Sequence, residues 1–141
     1  ALLKARAVAA RRPGDRVLGA DTVVAAGSRA LGKPADVGEA REFLELLSGR
    51  EHVVWSGIAI CEDGQDEVAV AATAVRFRDL READVEWYLR TGEWEGKAGG
   101  YAIQGSAEGL ITEISGSHSG VVGLPLFETR ALLKAAGFAI A

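Results

Sequence analysis

The sequence predicts an α/β fold, with a mixed β-sheet and flanking helices, on three observations. Two long stretches rich in Val, Ile and Ala, 51–62 and 68–80, are separated by the turn sequence DGQDE, which predicts an antiparallel pair of strands. Apolar residues over 37–48 recur at helical spacing. Helix and strand patterns alternate without a strict repeat, which favours a mixed sheet and leaves an α+β arrangement open.

Length and composition indicate a single domain over residues 1–141. Hydrophobic residues make up 48% of the chain and charged residues 26%, as in globular proteins. No apolar run approaches the ~18 residues of a membrane-spanning helix, so no membrane partner is expected. Cys61 is the only cysteine, which excludes an internal disulfide and favours a reducing, cytoplasmic location.

The net charge of −4 argues against binding to a nucleic-acid polymer, which requires a basic face. A small anionic ligand is still possible, because a few well-placed cations are enough to hold one.

The N-terminal third of the chain predicts a helix and a hairpin. Residues 1–12 are rich in Ala and predict a helix. Residues 16–26 predict a strand, which turns at AGSRALGKP and returns through Ala30–Leu31.

A second helix is predicted over residues 37–48. Asp36 followed by Glu39 is an N-cap pattern, and Gly49 is placed to end the helix. One stripe of the helix is apolar and should face the core: Ala40, Phe43, Leu44 and Leu47.

Patterns in the C-terminal half are shorter. They predict, in order, a helix over 81–92, a glycine-rich loop over 93–109, a strand over 110–116, a loop over 117–125, a closing helix over 124–137 and a last short strand over 138–141.

Asp21 is the first candidate functional residue. It lies in LGADTVVAAG, where its apolar neighbours predict a buried strand. Because burying an unpaired charge costs several kcal/mol, a buried Asp21 needs a compensating partner. That partner is either a metal ion at the edge of a cleft or an ordinary hydrogen bond to a turn or an arginine.

The lysines are few, and two of them lie in glycine-flanked loops. Twelve of the 16 basic residues are Arg, and the four lysines are Lys4, Lys33, Lys97 and Lys134. Lys33 lies in LGKP and Lys97 in GKAGG, where glycine allows the backbone to approach a ligand closely. Either lysine could equally be a solvated loop residue, and Lys4 alone indicates nothing.

Gln104, in YAIQG, is a candidate for reading the edge of a nucleobase, because an amide both donates and accepts hydrogen bonds. It could equally satisfy loop backbone groups. The sequence has no G-x-S-x-G elbow, P-loop or G-x-G-x-x-G motif. The Ser117-His118-Ser119 stretch therefore gives only weak support for a hydrolase triad.

One carboxylate, scattered lysines and an amide in a glycine loop fit phosphate chemistry. A hard Mg²⁺ ion held by one or two carboxylates, with lysines on the phosphate oxygens, would stabilise a phosphoryl group under attack by water.

The order of motifs resembles the Maf family over nearly the whole chain. The segments that carry the resemblance are KA at 4–5, LGADTVV at 18–24, LGKP at 31–34, EAREFLELLSGREHVV at 39–54, GKAGGYAIQG at 96–105 and GSHSGVVGLPL at 116–126. The resemblance implies an elongated mixed sheet with helices around a central nucleotide cleft, as in Maf and ITPase-like proteins. It also implies a nucleoside triphosphate pyrophosphatase, which cuts between the α- and β-phosphates and releases a nucleoside monophosphate and pyrophosphate.

The resemblance also implies roles for particular residues. Asp21 would accept the proton of the attacking water and lie at a divalent metal, Mg²⁺ or Mn²⁺. Lys4, Lys33 and Lys97 would line the phosphate region, the first two most clearly. Thr22 and Gln104 would mark the subgroup that prefers dTTP and UTP. A homodimer is the expected assembly.

Three features depart from the family pattern. The family's N-terminal strand and Ser-x-Ser-Pro-Arg-Arg loop are absent before Ala1, so a chain extended by them is expected to hydrolyse UTP much faster. Trp55 and Ser56 stand where a Thr-Gly pair is usual, and His118 and Gly120 where Tyr and Asn are common. Two alternatives stay open: a nucleotide-binding regulator linked to septum formation without turnover, and an unrelated α/β interaction domain.

Overall fold

The computed structural model describes residues 1–141 as an open β-sheet with helices packed on it. The strands are β1 (Val17–Ala26), β2 (Arg29–Leu31), β3 (Glu51–Glu62), β4 (Gln65–Phe77) and β5 (Ile111–Ser115). The helices are α1 (Leu2–Ala9), α2 (Val37–Leu47), α3 (Glu82–Thr91), α4 (His118–Val122) and α5 (Leu126–Ala135), with 3₁₀ turns at Ala98–Gly100 and Ser106–Leu110. None of the helices has the length and apolar character that crossing a bilayer requires.

The strands lie in the order β2-β1-β3-β4-β5, and all four neighbouring pairs are antiparallel. The α/β fold class is confirmed, although the parallel pairing expected of a mixed sheet does not occur within residues 1–141. Two of the pairs are hairpins, which can only be antiparallel. Gly27 forms part of the two-residue turn between β1 and β2, and Asp63 and Gly64 join β3 to β4 with positive φ angles of 46° and 81°.

Helices cover the two faces of the sheet differently. On one face, α1 packs its Ala5 against Ala59 and Cys61 of β3. On the other face, α2, α3 and the glycine-rich loop cover the end of the sheet around Val54, and α5 covers the end around Ile58. The main core therefore lies between the sheet and α2 and α3.

The second helix forms as the sequence predicts. The carboxylate of Asp36 accepts a hydrogen bond from the Glu39 amide at 2.9 Å, which satisfies one free N–H of the first turn. All four residues of the predicted apolar stripe are buried: Ala40, Phe43, Leu44 and Leu47. Gly49 follows the helix with a φ of 64°, a conformation in which glycine is favoured.

Strand β1 is not the buried strand that its sequence predicts. Leu18 and Val23 are 42% and 44% exposed, and only Val24 is fully buried. The reason is that β2 pairs only with residues 24–26, so the outer edge of β1 before Val24 has no neighbouring strand. This open edge borders the candidate active site.

Two further expectations are wrong. The segment 117–125, expected to be a loop, contains α4, because the hydroxyl of Ser117 caps the helix by accepting a hydrogen bond from the Gly120 amide at 2.9 Å. Residues 138–141 form no strand. Phe138 instead lies under the guanidinium group of Arg16, 4.7 Å from the ring centre.

Candidate active site

A cavity of about 290 Å³ lies at the open edge of β1. The loop after β2, the glycine-rich loop and the end of α4 complete its walls. All six residues singled out from the sequence line it: Lys4, Asp21, Thr22, Lys33, Lys97 and Gln104. The structure therefore brings together residues from four separate segments of the chain: α1, β1, the loop after β2 and the glycine-rich loop.

Asp21 projects into this cavity as an exposed ion pair. Its carboxylate accepts a hydrogen bond from the Lys4 ammonium at 2.8 Å, and its side chain is 46% exposed. The expectation of a buried charge is therefore wrong, because the strand edge is open to solvent. The hydrogen bond from Lys4 lowers the pKa of Asp21, so the carboxylate is ionised at neutral pH.

A backbone hydrogen bond joins the two lysine loops. The amide of Gly99 donates to the carbonyl of Gly32 at 3.0 Å, which brings the loops of Lys33 and Lys97 side by side. Gly99 has a φ of 74°, and a Cβ atom there would lie 3.0 Å from the side chain of Val24. The glycine is needed because the loop packs directly onto β1.

Glu93 holds the loop around Gln104 in place. Its carboxylate accepts hydrogen bonds from the amide and the hydroxyl of Ser106 at 2.7 and 2.9 Å, and any side chain at Gly105 would overlap it. The sequence reasoning missed Glu93, because nothing local links it to Ser106. The Gln104 side chain is exposed rather than buried. The backbone amide of Ser106 in this loop is satisfied by Glu93 and not by Gln104.

A buried polar pair supports the cavity wall from behind. Tyr101 lines the cavity, and its hydroxyl lies 2.7 Å from Nε2 of His52, which is 2% exposed. Burial lowers the pKa of His52 to about 4, so its imidazole is neutral at pH 7. One residue further along, the Ala102 amide donates to the Tyr88 hydroxyl at 3.0 Å. No local sequence pattern predicts these long-range contacts.

The charge at the cavity is opposite to that of the whole chain. Three lysines and one aspartate line the cavity, which leaves two uncompensated positive charges in a chain of net charge −4. Three of the four lysines of the chain are gathered here. Such a concentration of ammonium groups suits a small polyanion.

The oxygen ligands at the cavity also suit a divalent cation whose remaining ligands come from a bound phosphate compound and water. Asp21 is the only carboxylate of the cavity, and no group of three or more His, Cys, Asp or Glu side chains converges in the structure. A dedicated protein cage for a metal is therefore missing. A hard cation such as Mg²⁺ commonly takes one or two carboxylates and completes its coordination with water and substrate phosphates, and Asp21 meets that requirement.

The serines around His118 have structural roles. Besides the Ser117 cap, the hydroxyl of Ser119 accepts a hydrogen bond from the Leu126 amide at 3.0 Å, and the His118 side chain is exposed. The weak indication of a hydrolase triad therefore finds no support in the geometry.

Comparisons with known proteins agree on one family. The family model described as Maf-like protein matches residues 1–136. The dTTP/UTP pyrophosphatase of Novosphingobium aromaticivorans is 58% identical over 135 residues, which cover 95% of this chain and 67% of that protein. The proteins of the same name from Sphingopyxis alaskensis and Caulobacter vibrioides are 54% and 50% identical, over 95% and 98% of this chain and 70% and 72% of their own lengths.

Proposed function

Because this chain belongs to the Maf family, we propose that it is a nucleoside triphosphate pyrophosphatase acting on dTTP, UTP and related or modified nucleotides. It hydrolyses the bond between the α- and β-phosphates and releases a nucleoside monophosphate and pyrophosphate. The observation that carries the proposal is the cavity itself, where three lysines surround a single ionised carboxylate. Relatives named dTTP/UTP pyrophosphatase support the choice of substrate.

The lysines bind the triphosphate. Lys33 and Lys97 are exposed on adjoining loops, where their ammonium groups can move to the phosphate oxygens. Lys4 reaches the same cavity from α1. Positive charge around the transferred group stabilises the charge that develops in the transition state.

Asp21 accepts the proton of the attacking water. Its hydrogen bond with Lys4 lowers its pKa and so keeps the carboxylate ionised but weakly basic. When phosphate oxygens compete for the Lys4 ammonium, that hydrogen bond weakens and Asp21 becomes a stronger base. Substrate binding and activation of the base are therefore linked through Lys4.

We also propose that Mg²⁺ or Mn²⁺ takes part. Asp21 and the substrate phosphates would hold the ion. When bound, it supplies charge neutralisation at the phosphoryl oxygens.

Thr22 and Gln104 lie at the same cavity and recognise the base. The exposed Gln104 amide is free to donate and accept hydrogen bonds on the edge of a pyrimidine. A cytoplasmic location and a homodimeric assembly complete the proposal. They rest on the family resemblance and on cysteine usage, and sedimentation analysis would check the assembly.

Pyrophosphate release from UTP in the presence of Mg²⁺ tests the proposal, with Asp21→Asn as the diagnostic variant. The substitution keeps the shape of the side chain and removes its basicity, so turnover should fall by about 10²- to 10⁴-fold. Asp66→Asn is the matched control, because Asp66 also pairs with a cation of α1, Arg6 at 2.6 Å, but lies outside the cavity.

Near-wild-type turnover by Asp21→Asn would assign the base to another group. Binding of UTP without any release of pyrophosphate would favour the regulator that binds nucleotide without turnover.

A further inference from the structure

A chain of hydroxyl groups runs from the cavity into the protein. Thr22 lines the cavity, and its hydroxyl oxygen lies 3.3 Å from that of Ser56 on the neighbouring strand β3. Ser56 is 0% exposed, and its hydroxyl donates to the carbonyl of Gly120 in α4. Val121, Val122 and Gly123, which follow Gly120, form one wall of the cavity. Ser56 therefore links Thr22 to that wall.

The direction of these hydrogen bonds is fixed by their last member. A carbonyl oxygen accepts hydrogen bonds and cannot donate one, so Ser56 uses its single proton on Gly120. In the contact between the two hydroxyls, Thr22 must then be the donor. The proton of Thr22 consequently points to Ser56, and only its oxygen lone pairs remain available to a ligand.

Thr22 and Asp21 face opposite sides of the sheet. Consecutive residues of a strand point to opposite faces, and Asp21 lies on the face covered by α1 and Lys4. Thr22 lies on the other face, next to Gly123: a Cβ atom on that glycine would come within 3.6 Å of the threonine hydroxyl. Gln104, which the proposed function assigns to the base, belongs to the glycine-rich loop that covers this same face. A nucleobase held by Gln104 therefore lies on the Thr22 side.

We propose that Ser56 is a positioning residue that makes Thr22 an obligatory hydrogen-bond acceptor toward the nucleobase. An acceptor suits the ring N3–H of uracil and thymine. It disfavours cytosine, which presents an unprotonated N3 acceptor at the same position. The inference rests on the proposed function and deepens it, because it names the feature that selects imide pyrimidines over cytosine.

Binding of UTP and CTP, measured by calorimetry in EDTA so that no turnover occurs, tests this inference. The wild-type protein should bind UTP at least about tenfold more tightly than CTP, which corresponds to one hydrogen bond of about 1.4 kcal/mol. In Ser56→Ala the Thr22 hydroxyl is released and can donate to cytosine, so the UTP/CTP ratio should fall by about tenfold.

A Thr22→Val variant and the double variant show whether Ser56 acts through Thr22. Thr22→Val alone should abolish the preference, and adding Ser56→Ala should change the ratio no further. A purely structural role of Ser56 would lower the affinity for both nucleotides and would not depend on the hydroxyl of Thr22.

Thr73→Ala is the matched control. Thr73 is 1% exposed, and its hydroxyl bonds the amide and the carbonyl of Ser117 at 3.0 and 3.3 Å, so it anchors the same α4 segment without touching Thr22. This variant should lower the affinity for both nucleotides equally and leave the UTP/CTP affinity ratio unchanged.

Several results would overturn the inference. One is equal binding of UTP and CTP by the wild type, and another is an unchanged UTP/CTP affinity ratio in Ser56→Ala. A third is a preference for UTP that survives in Thr22→Val, and this result tests the inference even if Ser56→Ala does not fold. An unchanged ratio in a protein that hydrolyses UTP removes this inference alone. Failure to release pyrophosphate from UTP in the presence of Mg²⁺ removes the proposed function as well.

Discussion

The ion pair between Asp21 and Lys4 makes a small, pH-dependent contribution to stability. The apolar neighbours of Asp21 predict burial, but the open edge of β1 leaves it half-exposed and paired with Lys4. An exposed pair of this kind contributes about 1 kcal/mol or less to stability. Because the pKa of Asp21 is lowered, this small contribution is present above its ordinary pKa of 3.8 and is lost as the pH falls through the lowered value.

His52 makes the stability of the protein depend on pH more strongly than Asp21 does. Its pKa falls from 6.5 to about 4 on folding, so between these values the unfolded chain binds a proton that the folded protein does not. Stability is therefore highest above pH 6.5 and decreases as the pH falls toward 4. Between pH 7 and pH 5 the free energy of unfolding should drop by roughly 2 kcal/mol from this group alone. Urea denaturation of the wild type and of His52→Gln at both pH values would measure it.

The matched control is His118→Gln, which replaces the exposed histidine and should keep the wild-type difference. It also leaves a single imidazole, so an NMR titration can follow His52 directly. A midpoint near the ordinary value of 6.5 would contradict the assignment of His52 as a buried neutral residue.

At the scale of helices and strands, sequence patterns predicted correctly those features that depend on interactions between residues close together in the chain. The cap and stripe of α2 and the β3–β4 hairpin are confirmed because N-capping, helical spacing and an Asp-Gly turn are properties of neighbouring residues. Helix α4 was missed because its five residues include a glycine and its cap lies within a serine-rich stretch.

Partners distant in the sequence could not be predicted. The contacts of Glu93 with Ser106 and of His52 with Tyr101 join residues 13 and 49 positions apart, and they exist only once the fold has formed. Six of the polar and charged residues that line the cavity were singled out from the sequence. The residues that hold it in place were not.

The glycine-rich loop offers a test at this scale, in Gly99→Ala. A side chain at Gly99 would need a φ of 74° and would also press on Val24, so we expect a loss of about 2–4 kcal/mol of stability and weaker nucleotide binding. Gly96→Ala is the control: its φ of 69° imposes a similar backbone strain, but no atom lies within 4 Å of the added Cβ. Its cost should be about 1 kcal/mol. Chemical denaturation measures both, and equal losses would show that the loop does not depend on its packing against β1.

For the whole molecule, the distribution of lysine charge is the most informative property. The chain is acidic overall, yet three of its four lysines surround one cavity. Lys33→Gln and Lys97→Gln should each weaken the binding of a triphosphate by on the order of tenfold, the value of a charge-assisted hydrogen bond of about 1.5 kcal/mol. Lys134→Gln, on the exposed surface of α5, changes the net charge equally and should leave the affinity unchanged. An equal loss in all three variants would mean that the overall charge, and not the cavity, attracts the nucleotide.

The products formed from UTP test the central claim most directly. Phosphorus NMR of a reaction containing the protein, UTP and Mg²⁺ distinguishes cleavage between the α- and β-phosphates from cleavage between the β- and γ-phosphates. The account predicts UMP and pyrophosphate in equal amounts from the first turnovers onward. The appearance of UDP and inorganic phosphate, or UTP that remains intact in the presence of the folded protein, would contradict it.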